Sequence, residues 1–188
     1  DSYNSVNALH DQGFKGEGGA IYVAGHNTFI YDSIISKTHA DNNGDGGAVF
    51  VAGVNTTVTD SSFDESKATY GGAVYVTGSE TSIINSNFTK TTSDINGGGI
   101  YVAGHNTYIS GDSFDHSNSK GTDVTDGGGA MYIVGDGTYV SDSNFTLSDS
   151  RRYGGAIYIA GKNTDILRSN FIQNHASSPG GAVYIQSN

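Results

Sequence analysis

The sequence predicts an all-β protein: a right-handed parallel β-helix, or solenoid, of about seven coils with a period near 27 residues. Three observations predict it. First, GGAIYVAGHNTFI at 18–30 returns as GGGIYVAGHNTYI at 97–109, and further copies begin at Gly46, Gly71, Gly128, Gly154 and Gly180. Second, the distance from the first Gly of a unit to its closing apolar residue is always 17 residues, ending at Ile35, Phe63, Phe88, Phe114, Phe145 and Phe171. All length variation therefore falls in one corner, and insertions are tolerated where backbone meets water. Third, the constant frame is made of short alternating runs rich in Val, Ile, Tyr, Thr and Phe, punctuated by Gly and Asn. That is strand and turn chemistry, with no window of helical spacing and caps. The hexapeptide rhythm of a left-handed helix is absent, and parallel crossovers favour the right hand. Three short strands are expected per coil.

Taken in order, residues 1–17 are degenerate and should form part of a coil. Leu9 stands 9 residues before Gly18, which is the spacing of Phe88, Phe145 and Phe171 from their next units, so Leu9 is expected in the closing apolar slot. Residues 18–179 should make six full coils and 180–188 a partial one, all in a single domain. The slot after Gly-Gly-Ala is aliphatic from Ile21 to Val183, and so is the slot two further on, from Val23 to Ile185. Side chains two apart share a strand face, so both columns should point inward. Ile30, Val58, Ile83, Ile109, Val140 and Ile166 make a third inward column, and the Phe slot a fourth. Each coil buries its apolar face only by stacking on its neighbours. Gly25, Gly53, Gly78, Gly104, Gly135 and Gly161 recur without change, and Asn27, Asn55, Asn106 and Asn163 stand two residues after four of them. Both residue types tolerate positive φ, so sharp corners are expected there.

The chain has 188 residues, 19 acidic against 9 basic, and a net charge of −10. Nucleic acid is excluded as a partner, because phosphate binding needs a basic stripe. No apolar stretch is long enough to enter a membrane. Cysteine is absent, so there is no disulfide framework and no thiol chemistry. The start at Asp1, without Met, reads as a mature or excised piece.

The reiterated pattern GGAIYVAG-NT-I--S-F resembles the right-handed β-helix repeats of microbial surface proteins, over residues 18–188. It is most similar to adhesin-like proteins of methanogenic archaea and to the polymorphic outer-membrane-protein type repeats of bacteria. The resemblance implies an extracellular or cell-surface location. It is specific for fold rather than activity, since one solenoid carries lyases, hydrolases and adhesins.

Several residues invite a functional reading. Between the two inward columns of the first strand lies an aromatic one: Tyr22, Phe50, Tyr75, Tyr101, Tyr132, Tyr158 and Tyr184. It should face outward, beside a small-residue column from Ala20 to Ala182. Such a stripe either stiffens the sheet by stacking or serves as a lateral contact surface or sugar platform. A buried column is the third arrangement. The loop DNNGDGG at 41–47 matches the first half of a calcium loop, with Asp41, Asn43 and Asp45 as oxygen donors, but Ala52 replaces the distal Glu; the same residues suit a plain turn. Asp32 and Asp60 share a slot in adjacent coils, where paired carboxylates would suit glycoside hydrolysis or calcium. The column is not maintained, and Arg151 and Arg152 lie in a variable loop without a matching acid cluster, so no enzyme is expected. His26 and His105 share a slot three coils apart and read as turn residues. Asn55, Asn87 and Asn144 head N-x-[ST] sequons.

The first expectation for function is an extracellular structural subunit stacking head to tail into a filament or surface layer, because the N-terminal and C-terminal part-coils together would complete a turn. The second is an adhesin segment that holds carbohydrate or a cell surface on the Tyr stripe or on the long loops after Ile35 and Phe114. The third is a polysaccharide lyase or glycoside hydrolase.

Overall fold

A computed structural model describes residues 2–4, 7–8, 16–41 and 43–186, and places them in an all-β parallel solenoid. Four sheets run its length. Ile21–Val23 opens a seven-stranded sheet that ends at Val183–Ile185, and Phe29–Tyr31 opens a six-stranded one that ends at Asp165–Leu167. Ser2–Asn4 begins the sheet that carries the Phe column, and Asn7–Ala8 begins the fourth. Each coil therefore has four strands, one more than expected, the extra one lying in the variable segment. The solenoid has about six turns rather than seven, because both outermost coils are partial among the described residues.

The register is coil-to-coil and slot-to-slot: Ile21 pairs with Val49, Ile83 with Ile109, and Phe88 with Phe114. Leu9 lies outside the described residues. Tyr3, not Leu9, stands in backbone register with Ile35.

Through the interior coils the four inward columns are buried as expected, and Val49, Val51, Val58 and Phe63 have no exposed surface; in the last strand Ile185 is 68% exposed. The Phe rings stack through the core at 4.6–5.0 Å between centroids. The small-residue column departs from expectation. Ala48, Ala73, Ala130 and Ala156 face inward with the aliphatic residue that follows each of them. Two consecutive N–H groups, of Ala48 and Val49, donate to the single carbonyl of Ala73, and the same bulge recurs at Ala73 and Val74 onto Gly99. Alternation is broken at that point, which puts neighbours on one face.

Each coil turns on residues in the left-handed region. Asn27, Asp32 and Lys37 begin three corners spaced five residues apart, and the six coils fill these eighteen positions with sixteen non-glycine residues plus Gly111 and Gly137. The fourth corner takes the first glycine of each Gly-Gly pair, from Gly18 at φ 65° to Gly180 at φ 81°. The second glycine answers a different need: a Cβ on Gly47 would run into the Gly72 carbonyl oxygen of the next coil. From Gly53 onward the Gly25 column follows this second rule too, while a Cβ on Gly25 itself would meet only Thr28 Oγ1 at 3.6 Å. None of its members has positive φ; a Cβ on Gly53 would meet the Gly25 carbonyl. Close approach of coils, and not a left-handed turn, keeps that column glycine, while the Asn residues after it do take positive φ.

After these corners a small hydroxyl residue points inward, except where Asp112 and Asn174 hold the position. Ser61 shows its use. Its Oγ accepts the Ser33 N–H at 3.2 Å and donates to the Thr59 carbonyl at 2.8 Å. Thr56, Thr81, Thr107 and Thr138 each donate to the carbonyl three residues back. Buried backbone groups at the corners are thus satisfied by side chains.

Two substitutions test these constraints by chemical unfolding. Gly47→Ala should cost at least about 1–3 kcal/mol, because its new Cβ meets backbone that cannot move aside. Leu147→Asn should stabilise by about 1 kcal/mol, because Leu147 is an exposed left-handed residue without a local hydrogen bond to favour that conformation.

Candidate binding cleft

The aromatic column does leave the solenoid wall outward, as its strand position requires. Its rings form one ladder, with centroids 5.2 Å apart from Tyr22 to Phe50, 4.8 Å from Tyr75 to Tyr101 and 4.6 Å from Tyr132 to Tyr158. The expected flat exposed stripe is nevertheless largely covered. Tyr22 is 52% exposed, but Phe50 and Tyr132 keep only 6% and Tyr158 1%. The variable corner folds back over the ladder. Tyr70 stands edge-on to Tyr101, with centroids 5.4 Å apart, and Tyr153 packs against Tyr158 and Tyr184. Ring faces are taken by neighbouring rings, so the ladder presents edges and hydroxyls rather than a platform for a sugar ring.

A cleft of about 710 Å³ opens on this ladder between the strands at 67–70 and 92–96 and the loop at 120–126. Tyr75, Tyr101 and Tyr132 line its floor, Tyr70, Asp94 and Asn96 one side, and Lys120, Thr122, Asp123 and Asp126 the other. The loop is fixed over the floor by a set of specific bonds. The Gly127 N–H donates to Asn96 Oδ1 at 2.7 Å, the Asp123 N–H to Asp126 Oδ2 at 2.8 Å, and the Tyr132 hydroxyl to the Thr125 carbonyl at 2.9 Å. From the next coil, Arg152 Nε donates to the Asp123 carbonyl at 3.2 Å. Arg152 thus braces a wall.

The cleft carries three carboxylates against one lysine. Asp94 is paired with Lys67 at 3.4 Å and Asp126 is buried, while Asp123 and Lys120 stand exposed at the rim. The floor phenols are held neutral. Burial, then the charge of Asp45 and the neighbouring Tyr70, pushes Tyr75 up to about 12, and Tyr101 and Tyr132 are raised further, chiefly by burial. Neutral phenols beside carboxylates supply donors and acceptors together. A second, smaller cleft of about 360 Å³ lies on the first coil against Phe29 and Tyr31.

The other singled-out residues do not converge. Asp41 is engaged by His39 at 3.1 Å, Asn43 takes a left-handed turn, and Asp45 is buried, its charge acting on Tyr75. Among the described residues no group of three or more His, Cys, Asp or Glu side chains is placed to hold a metal ion. Asp32 and Asp60 are left-handed corner residues; Asp60 accepts the Thr59 hydroxyl at 2.8 Å. His26 and His105 each have a role the sequence did not show: Nδ1 accepts a backbone N–H from the next coil, from Val54 at 3.0 Å and from Asp136 at 3.2 Å. Asn87 and Asn144 are exposed on the outer face of the Phe sheet, whereas Asn55 gives its amide to Asn27 at 2.7 Å. Among the described residues no helix is long and apolar enough to cross a membrane.

Comparison with known proteins finds no matching family model, no matching characterised protein and no matching solved structure.

The phenol–carbonyl bond of Tyr132 is testable. Tyr132→Phe should destabilise by about 1 kcal/mol and speed amide hydrogen exchange across 121–127 while leaving the Phe-sheet amides protected. Uniform exchange change throughout the solenoid would show that the bond does not hold the wall.

Proposed function

We propose that this protein is an extracellular or cell-surface β-solenoid rod that binds rather than catalyses, and that the cleft over the tyrosine ladder holds a neutral, hydroxyl-rich ligand of the carbohydrate class. The observation that carries this reading is the place of the cleft. It is walled by the segment after Phe114, in the longest interval of the repeat, the 31 residues from Gly97 to Gly128. There the chain departs from its period and is braced open instead of collapsing on the rings. Convergent hydroxyls and carboxylates suit a polyhydroxylated ligand, and the excess of acid disfavours an anionic one. Two of the three carboxylates are themselves engaged in the walls, Asp94 by Lys67 and Asp126 by the Asp123 N–H, which favours holding over proton transfer. The expected head-to-tail filament is the second reading, supported by the parallel ladders, whose one set of backbone bonds would also join copies end to end.

The test is a screen of neutral, acidic and amino-sugar oligosaccharides, followed by calorimetry. A neutral glycan should be retained and its acidic counterpart rejected. Tyr70→Ala and Asp123→Ala should each weaken binding about tenfold, or roughly 1.4 kcal/mol, with Lys90→Ala on a remote face unchanged. Retention of no glycan, or equal loss in all three variants, would overturn the reading.

A further inference from the structure

The hydroxyl column at the second corner contains one acid. Ser33, Ser61, Ser86, Asp112, Ser143 and Ser169 occupy equivalent positions, each directly after the left-handed corner residue. A serine here does two things. From Ser61 onward its hydroxyl oxygen accepts the N–H of the equivalent residue one coil earlier: Ser61 from Ser33, Ser86 from Ser61, Ser143 from Asp112 and Ser169 from Ser143. Its proton goes to its own carbonyl two residues back: Ser33 to Tyr31, Ser86 to Ile84, Ser143 to Ser141 and Ser169 to Leu167.

Asp112 performs the first task, since Oδ1 accepts the Ser86 N–H at 2.6 Å, and its own N–H continues the ladder to Ser143 Oγ at 3.2 Å. Its side chain has no exposed surface, and Oδ2 is buried without a hydrogen-bond partner. By the rule of the column, the second task falls on the Ser110 carbonyl, which accepts and cannot donate. A carboxylate has no proton to offer it; a carboxylic acid does.

We propose that Asp112 is held as the neutral acid in the native solenoid, standing in for a serine hydroxyl, and that its ionisation in mildly alkaline solution loosens the coil that carries the cleft wall. Beyond the backbone of Ser86 and Ser110, the surroundings offer an anion no compensation. Ser86 and Ser143 stack on it in its own column, with Gly111 beside it. Asn85 and Asp142 occupy the adjoining corners, and inward lie the Ile109 and Phe114 columns. The one nearby charge in those corner slots, Asp142, is committed to Arg168 through bonds of 2.7 and 2.8 Å. Burial accordingly drives the Asp112 carboxyl up to about 8, against smaller opposing effects of the Ser86 and Ser110 backbone. The same coil runs on through Ser113–Asp115 and Asn118–Ser119 into the 120–126 wall.

The sign of the linkage follows. In the unfolded chain Asp112 ionises in the ordinary carboxylate range, and in the folded chain only near 8. The stability it contributes is full below the ordinary range and is lost as pH rises through about 8. Thermal unfolding of the wild type, Asp112→Asn and Asp112→Ser from about pH 4 to about pH 9 tests this. The wild-type midpoint should fall by several degrees relative to both variants as pH rises, and the variants should be the more stable proteins at the alkaline end. Asparagine keeps both tasks without a titrating proton. A carbon-13 titration of the wild-type Asp112 carboxyl gives a second reading that needs no variant, with its midpoint expected near 8. Wild-type and variant midpoints that run parallel, or a carboxyl that titrates in the ordinary range, would overturn the proposal.

Discussion

Everything in this solenoid depends on a backbone constraint at the corners. A coil can stack on the next only if the chain turns sharply without stranding its N–H and C=O groups. One left-handed residue makes the turn, and its own N–H still reaches the next coil, as Asn27 reaches the Val54 carbonyl at 3.0 Å. The following Ser or Thr then closes the gap with its hydroxyl. Left-handed backbone costs a non-glycine residue on the order of 1 kcal/mol. The same ladders that satisfy the corners also hold them in that conformation, so strain and stabilisation grow together with each coil.

The tyrosine ladder is a consequence of that stacking. Once Tyr75 and Tyr101 are in register, their rings are 4.8 Å apart and their faces are consumed. What remains for recognition is the ring edge, the hydroxyl, and whatever the variable corner brings over the top. The cleft therefore belongs to the loop as much as to the column. One of its walls is the 120–126 loop, which obeys no repeat and is held by bonds such as that from the Gly127 N–H to Asn96, which link one coil's strand to the next coil's corner. Asp112, in the coil that leads into one wall, shows how the regular part of the fold can act on the irregular part.

The inward columns were legible because a period-2 pattern repeated in every unit leaves one arrangement that buries Val49, Val51 and Phe63 at once. The Ala column was misread because a backbone bulge, invisible to alternation, turns Ala48 to the same side as Val49. The Gly25 column was assigned a turn when it serves a close approach; residue type alone does not separate those two uses of glycine. The five-residue rhythm of the corners was present in the sequence as a polar or glycine residue followed by Ser or Thr, but Lys37, Glu65 and Leu147 are not residues that announce a left-handed turn.

By itself the sequence determined the all-β class, the period, the parallel stacking and the identity of the core, because each follows from local chemistry repeated at fixed spacing. The tertiary structure alone decided how far the tyrosines are covered, where the cleft lies, and that one acid took a serine's place in a buried ladder. Those depend on residues from different coils meeting across the variable corner or within one column. Such meetings are set by the register of backbone hydrogen bonds between coils, and no single unit of the repeat contains that information.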